Sequence, residues 1–342
     1  MNTYYKDDLE RISQINQNNR KKYEKKLIRK SCNKIGFMLF ITTIAMDGLA
    51  MLLSLVLMFA GKVDITGKTG IGGISYPIYY LLNGILEFAG FFIIPIIFCL
   101  IFKFKLSDAL PVKGNKKFNI PLLVLGGYAI CTISNYAVSL LSSNLSLFGL
   151  ENKSGLVTEA KTPKEQIIYF ICIAIIPAIT EEIAFRGIVL NFLRQYGDGF
   201  AILVSSMLFG IIHGNFVQIP FAFIVGLVCA VLVVKTNSII PSILLHLLNN
   251  GTSVLLDCIN EYTSKGVYDF VSTMIVMTLT ILGFIAIIIL CKKGFDLKFQ
   301  SRNEIICLKT KDKITAFLTN PGMIIFISFY IIYALGVLFG YV

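Results

Sequence analysis

The amino-acid sequence predicts an all-α membrane protein, a polytopic bundle of about eight or nine transmembrane helices. Of the 342 residues, 56% are hydrophobic and only 15% are charged, against about 25% charged in a typical soluble domain. The apolar residues gather into runs of about 20, the length that crosses a bilayer core. The lysines and arginines gather in alternate connections between those runs.

In chain order, residues 1–34 are polar and basic. They contain neither an early apolar core nor a small-residue cleavage site, so no secretory signal peptide is expected and the first span acts as its own insertion signal. Nine spans follow, roughly 35–60, 74–102, 120–142, 166–190, 199–213, 217–235, 239–257, 269–291 and 321–341. The fifth is the shortest. No internal repeat or low-complexity linker divides them. The expected organisation is a basic cytoplasmic tail, 1–34, and one transmembrane domain, 35–342.

The tail holds ten basic residues, from Lys6 and Arg11 to Lys34; the 103–117 connection holds five and the 292–313 connection seven, together 22 of the chain's 31. With nine spans these three segments share one face of the membrane. The opposite connections, 61–73, 143–165 and 257–269, hold six basic and seven acidic residues. The positive-inside rule then puts the N-terminus in the cytoplasm and the C-terminus outside. The net charge of +11 is thereby read as a topology signal, with anionic lipid as a partner of the tail. Nucleic acid is not expected, because the tail has few aromatics for stacking. The eight cysteines are scattered singly with no CxxC pair, and read as small hydrophobes.

An ionisable side chain inside a membrane helix is costly and marks a functional candidate. Here these are Asp47, Glu87, Glu181, Glu182, Arg186, His213 and His246; Asp257 sits at a span edge. Both of the chain's histidines are among them. His213 follows Phe209 by four residues and His246 precedes Asn250 by four, so each pair shares a helix face. Glu182 and Arg186 have the spacing of a charge pair. Glu181, about 100° around the helix, is the freer carboxylate and the better general base. Asp47 and Glu87 carry no motif and read as structural partners or cavity-lining groups. Ser205 and Ser206 lack a nucleophile-elbow context and are expected to hydrogen-bond their own helix.

Each pattern alone has a plainer reading. An EExxxR run is common on solvated helices, and a lone membrane histidine is more often an interhelical hydrogen bond. Their ordered combination, EExxxR then FxxxH then HxxxN, each on a separate candidate span, resembles the CPBP family, the CAAX proteases and bacteriocin-processing (Abi) enzymes. The resemblance covers about 90 residues, from near Lys164 to near Leu255. It implies that Glu181 activates water, with Glu182 and Arg186 completing the first motif and Phe209 supporting the second. It further implies that His213 holds or polarises the water and that His246 and Asn250 stabilise the oxyanion.

Amide hydrolysis needs an activated water, donors for the developing oxyanion and a proton route to the amine, and these residue types can supply them. The family is sometimes labelled metalloprotease, and Glu181, His213 and His246 could form an open zinc site. HExxH is absent, however, so zinc is the one cofactor candidate and a metal-free mechanism is preferred. The expected partner is a peptide or a prenylated or hydrophobic protein substrate. The alternatives are a non-catalytic bacteriocin-immunity or membrane scaffold protein, and a transporter, which the lack of repeated halves disfavours.

Overall fold

The computed structural model describes residues 17–64, 70–112, 114, 119–147, 160–299 and 308–339. Lys6 and Arg11 of the basic tail, Cys307 and residues 340–341 of the last expected span lie outside the described residues. Among the described residues, eight helices are long and apolar enough to cross a membrane: α1 (Gln17–Phe59), α2 (Tyr76–Ile101), α3 (Ile120–Leu147), α4 (Pro163–Tyr196), α6 (Gln218–Thr236), α7 (Ile240–Tyr262), α8 (Lys265–Lys292) and α10 (Pro321–Leu338). Among the shorter helices are the apolar α5 (Asp198–Ile211) and the amphipathic α9 (Thr310–Leu318). The chain is a multi-pass membrane protein. Helix α1 runs unbroken through position 34, so its basic segment from Gln17 onward is helical.

Local sequence explains several helix boundaries. The TPKE run starts α4 with a capping box: Thr162 Oγ1 accepts from Glu165 N, and Glu165 Oε2 accepts from Thr162 N at 2.9 Å. Asn320 caps α10 by accepting from Met323 N at 3.0 Å, with Pro321 opening the helix. Inside α2 and α4, wide π-helical turns span residues 89–93 and 171–175, and each is followed at once by a proline, Pro95 and Pro177. Proline lacks an N–H and crowds the carbonyl four residues back; a π turn is one way for the helix to continue past it.

The helices pair as α1 with α10, α3 with α8 and α5 with α6, while α4 lies against α2 and α7. Glycine makes the first pairing possible: a Cβ on Gly36 would run into the backbone of Gly322 and Met323. Thr43 and Tyr330 then meet by their hydroxyls at 2.9 Å.

The three basic segments meet at one end of the bundle. Lys34 Nζ lies 4.0 Å from the centre of the Phe102 ring. Arg29 donates to Thr319 O at 2.8 Å, and Lys313 donates to Tyr196 O at 2.7 Å. That arrangement requires α5 to run back through the bundle, although its 14 residues span only about 21 Å at 1.5 Å per residue. Its shortness is why composition alone leaves the count between eight and nine.

If the glycine contact holds α1 to α10, Gly36→Leu should destabilise the protein by about 1–3 kcal/mol through overpacking, lowering its thermal unfolding midpoint in detergent. Gly48→Ala, with nothing within 4 Å of its Cβ, should unfold no earlier than the wild type, because alanine favours a helix interior over glycine. A Gly36→Leu protein that unfolds with the wild type would contradict this packing.

Candidate active site

Three helices bring the motif residues together. Glu181, Glu182 and Arg186 lie on α4, Phe209 lies on α5, His213 lies in the turn just after it, and His246 and Asn250 lie on α7. Glu182 and Arg186 are fully buried, and Arg186 Nη1 stands 3.0 Å from Glu182 Oε1. The same oxygen stands 3.0 Å from His246 Nδ1. A carboxylate already paired with a guanidinium accepts, so the imidazole donates Nδ1–H to it, as in other carboxylate-oriented histidines. Nε2 of His246 is thereby aimed at Glu181, 3.8 Å from its Oε2. That gap is too long for a direct hydrogen bond and suits a bridging oxygen atom.

Phe209 explains its own place in the FxxxH pattern. Its carbonyl takes the Nδ1–H of His213 at 2.8 Å; a carbonyl can only accept, so the Nε2 lone pair of His213 is left available. Its ring lies 4.0 Å from Arg186 Cζ, a cation–π contact. The same ring meets the edges of His213 and His246, with centroids 5.0 and 5.9 Å apart. One phenylalanine therefore sets the positions of three of the polar side chains.

Directly after Glu182, α4 widens into a π turn over Ile183–Val189. No proline causes this one. Side chains take up the carbonyls in and beside the wide turn: Ser205 Oγ donates to Phe185 O at 2.9 Å, and Asn191 Nδ2 to Arg186 O at 3.1 Å and Gly187 O at 2.9 Å. Ser206 bonds within its own helix, to Ile202 O, as expected, whereas Ser205 reaches across to α4. The difference is that Ser205 faces a carbonyl displaced by the wide turn, a long-range fact with no local sequence signal.

Glu181 and His213 open onto a cavity of about 280 Å³, whose lining also includes Asp47, Glu87, Tyr330 and Tyr333. Glu182, Arg186 and His246 are outside this lining, with Glu182 buried between the other two. Asn250 is half-buried and also lies outside the lining; its Oδ1 accepts from Asn249 Nδ2 at 3.2 Å, and its own Nδ2 makes no hydrogen bond among the described residues. Sequence reasoning found Asp47 and Glu87 but missed Tyr330 and Tyr333, which come from α10, far from the motifs along the chain.

Glu181, His213 and His246 do not converge as a zinc triad, and among the described residues no three metal-ligating side chains do. His246 Nδ1 is taken by Glu182. The cysteines form no disulfide among the described residues, and most are buried.

Residues 163–252 match the family described as type II CAAX prenyl endopeptidase Rce1-like. The chain is also similar to the membrane-embedded CAAX protease MroQ of Staphylococcus aureus (strain USA300), 28% identical over 168 residues, a match covering 46% of this chain and 65% of that protein. The chain thus spans a little under two thirds of this relative's length. No solved structure matches it. The matched segment is the one that builds the site, and the match agrees with the resemblance that the three motifs carry.

Removing one member of a buried ion pair typically costs about 3–5 kcal/mol, while replacing both is far milder. Arg186→Met should therefore lower the unfolding midpoint sharply, and Glu182→Gln with Arg186→Met should recover most of that loss. If Glu182 also orients His246, the double variant should regain stability without regaining function. Recovery of both would leave the pair a purely structural role.

Proposed function

We propose that this protein is an intramembrane endopeptidase of the CAAX-protease type, hydrolysing a peptide bond in a lipidated or hydrophobic substrate. The observation that carries the reading is the meeting, at one cavity, of a carboxylate and an imidazole with complementary free atoms: Glu181 Oε2, which is buried and accepts no hydrogen bond among the described residues, and the Nε2 side of His213.

In this reading a water bound at Glu181 gives up a proton to its carboxylate while His213 Nε2 accepts from the water's other hydrogen and orients it. The water oxygen adds to the scissile carbonyl. His246, when Nε2 is protonated, and Asn250, through its Nδ2, are the donors assigned to the tetrahedral oxygen; such donors act strongly in a water-poor site. The C–N bond then breaks and the amine takes the proton that Glu181 holds. Glu182 is buried between Arg186 and His246, away from the cavity lining, and is assigned a positioning role.

The same proposal places the N-terminus in the cytoplasm, from the basic segments gathered at one end of the bundle. The substrate is a membrane-resident peptide or protein; the similar staphylococcal protein is named a CAAX protease, which supports a bond near a lipidated end.

The test compares protein termini by mass spectrometry in cells carrying the wild type or Glu181→Gln. Termini that appear only with the wild type, with both proteins inserted at equal levels, would identify a protease and its substrate together. Loss of turnover should exceed a hundredfold for Glu181→Gln, in the range of a lost general base at about 10²–10⁴-fold. Identical termini, with toxin protection surviving the substitution, would favour the immunity reading.

A further inference from the structure

Beyond the three motifs, the cavity holds two more acids. Glu87 is placed there by two close approaches of α2. A Cβ on Gly84 would lie 3.0 Å from Cys172 Sγ on α4, and one on Gly90 would collide with Met46 on α1. Glu87, midway between these glycines, is therefore held between α1 and α4. On α1 the next residue after Met46 is Asp47, exposed in the middle of the apolar stretch of that helix.

A carboxylate at membrane depth is costly unless something compensates it. Arg186 compensates Glu182, but no lysine or arginine lines this cavity. Oε2 of Glu87 is buried and accepts no hydrogen bond among the described residues. Tyr330, Tyr333 and Phe329 form part of the wall. Carboxylates and aromatic rings around one space are the chemistry of cation recognition. The volume, about 280 Å³, lies just below the roughly 300–1,000 Å³ of whole-ligand pockets, and so suits a short piece of a substrate rather than a whole small molecule.

The geometry points to a cation-selective substrate subsite formed by Asp47 and Glu87 beside Glu181, which takes a peptide with a lysine, an arginine or a free ammonium within a residue or two of the cleaved bond. This rests on the endopeptidase reading and adds the class of substrate. Exposed Asp47 meets the cation first, and Glu87, half-buried with its Oε2 enclosed, holds it next to the reacting carbonyl. A neutral peptide leaves the two carboxylates uncompensated, and an acidic one adds repulsion, so selectivity arises from both sides.

The test uses the full chain in nanodiscs and a synthetic library of lipid-anchored, photo-crosslinking peptides randomised at five consecutive positions. Captured peptides and cleaved bonds are both sequenced. Wild type should enrich Lys or Arg at one position at least about fivefold over Asp47→Asn/Glu87→Gln, a modest discrimination for a charge site. Asp47→Lys should shift the enrichment toward Glu, a gain that misfolding cannot produce. Capture with the same composition in all three proteins overturns the subsite. Charge-dependent capture without any cleavage keeps the subsite and removes the endopeptidase reading. Cleavage without charge preference does the reverse.

Discussion

The Arg186–Glu182–His246 chain organises this bundle. All three groups are buried inside an apolar helical bundle, where a lone charge would be strongly penalised. Glu182 solves that with one oxygen, 3.0 Å from both the guanidinium and the imidazole. The consequence is directional as well as energetic. Pinning His246 by Nδ1 aims its other nitrogen at Glu181, the neighbouring carboxylate and the one that reaches the cavity. Charge compensation and site assembly are therefore one interaction, and α4 and α7 can dock fully only in the register that makes it.

That register is reached through unusual helix geometry. Widened turns occur in α2 and α4 ahead of Pro95 and Pro177, and a third follows Glu182 without any proline. Single wide turns of this kind are often found at functional sites. Here the third exposes carbonyls to Ser205 and Asn191, which tie α4 to α5 and close its own helix. Phe209 then serves three neighbours at once, with its ring toward Arg186 and both histidines and its carbonyl on His213 Nδ1. The helices outside the family segment add the cavity's other walls, α1 through Asp47 and α10 through Tyr330 and Tyr333.

Much of this was legible in sequence, because membrane spans and i,i+4 pairs are local. The Glu182–Arg186 pair followed from spacing, and the motif order singled out Glu181 and His213, which line one cavity, and His246, whose Nε2 stands 3.8 Å from Glu181. Asp47 and Glu87 stood out because an acid within an apolar run needs a reason. The boundary of the fifth span did not follow: α5 stops at Ile211, leaving His213 in a turn. The shared end for three basic segments followed from charge counting, and Lys34 over Phe102 and Lys313 on Tyr196 O give it atomic form. What spacing could not supply was the tertiary part. Asn250 shares a face with His246, yet it sits half-buried beside Asn249. Ser205 turns from its own helix to α4. The Tyr330 and Tyr333 wall is set by the α1–α10 pairing, which depends on Gly36 and Gly322, residues with no chemistry of their own.

Glu182 holds His246 through Nδ1 so that Nε2 faces Glu181. The chain has only two histidines, so ¹⁵N-histidine labelling of the purified protein yields two imidazoles to assign by NMR. A protonated, hydrogen-bonded Nδ1 is expected in both, with the His246 signal alone changing on Glu182→Gln. An unprotonated Nδ1 on His246, or a His246 signal indifferent to Glu182→Gln, would contradict it.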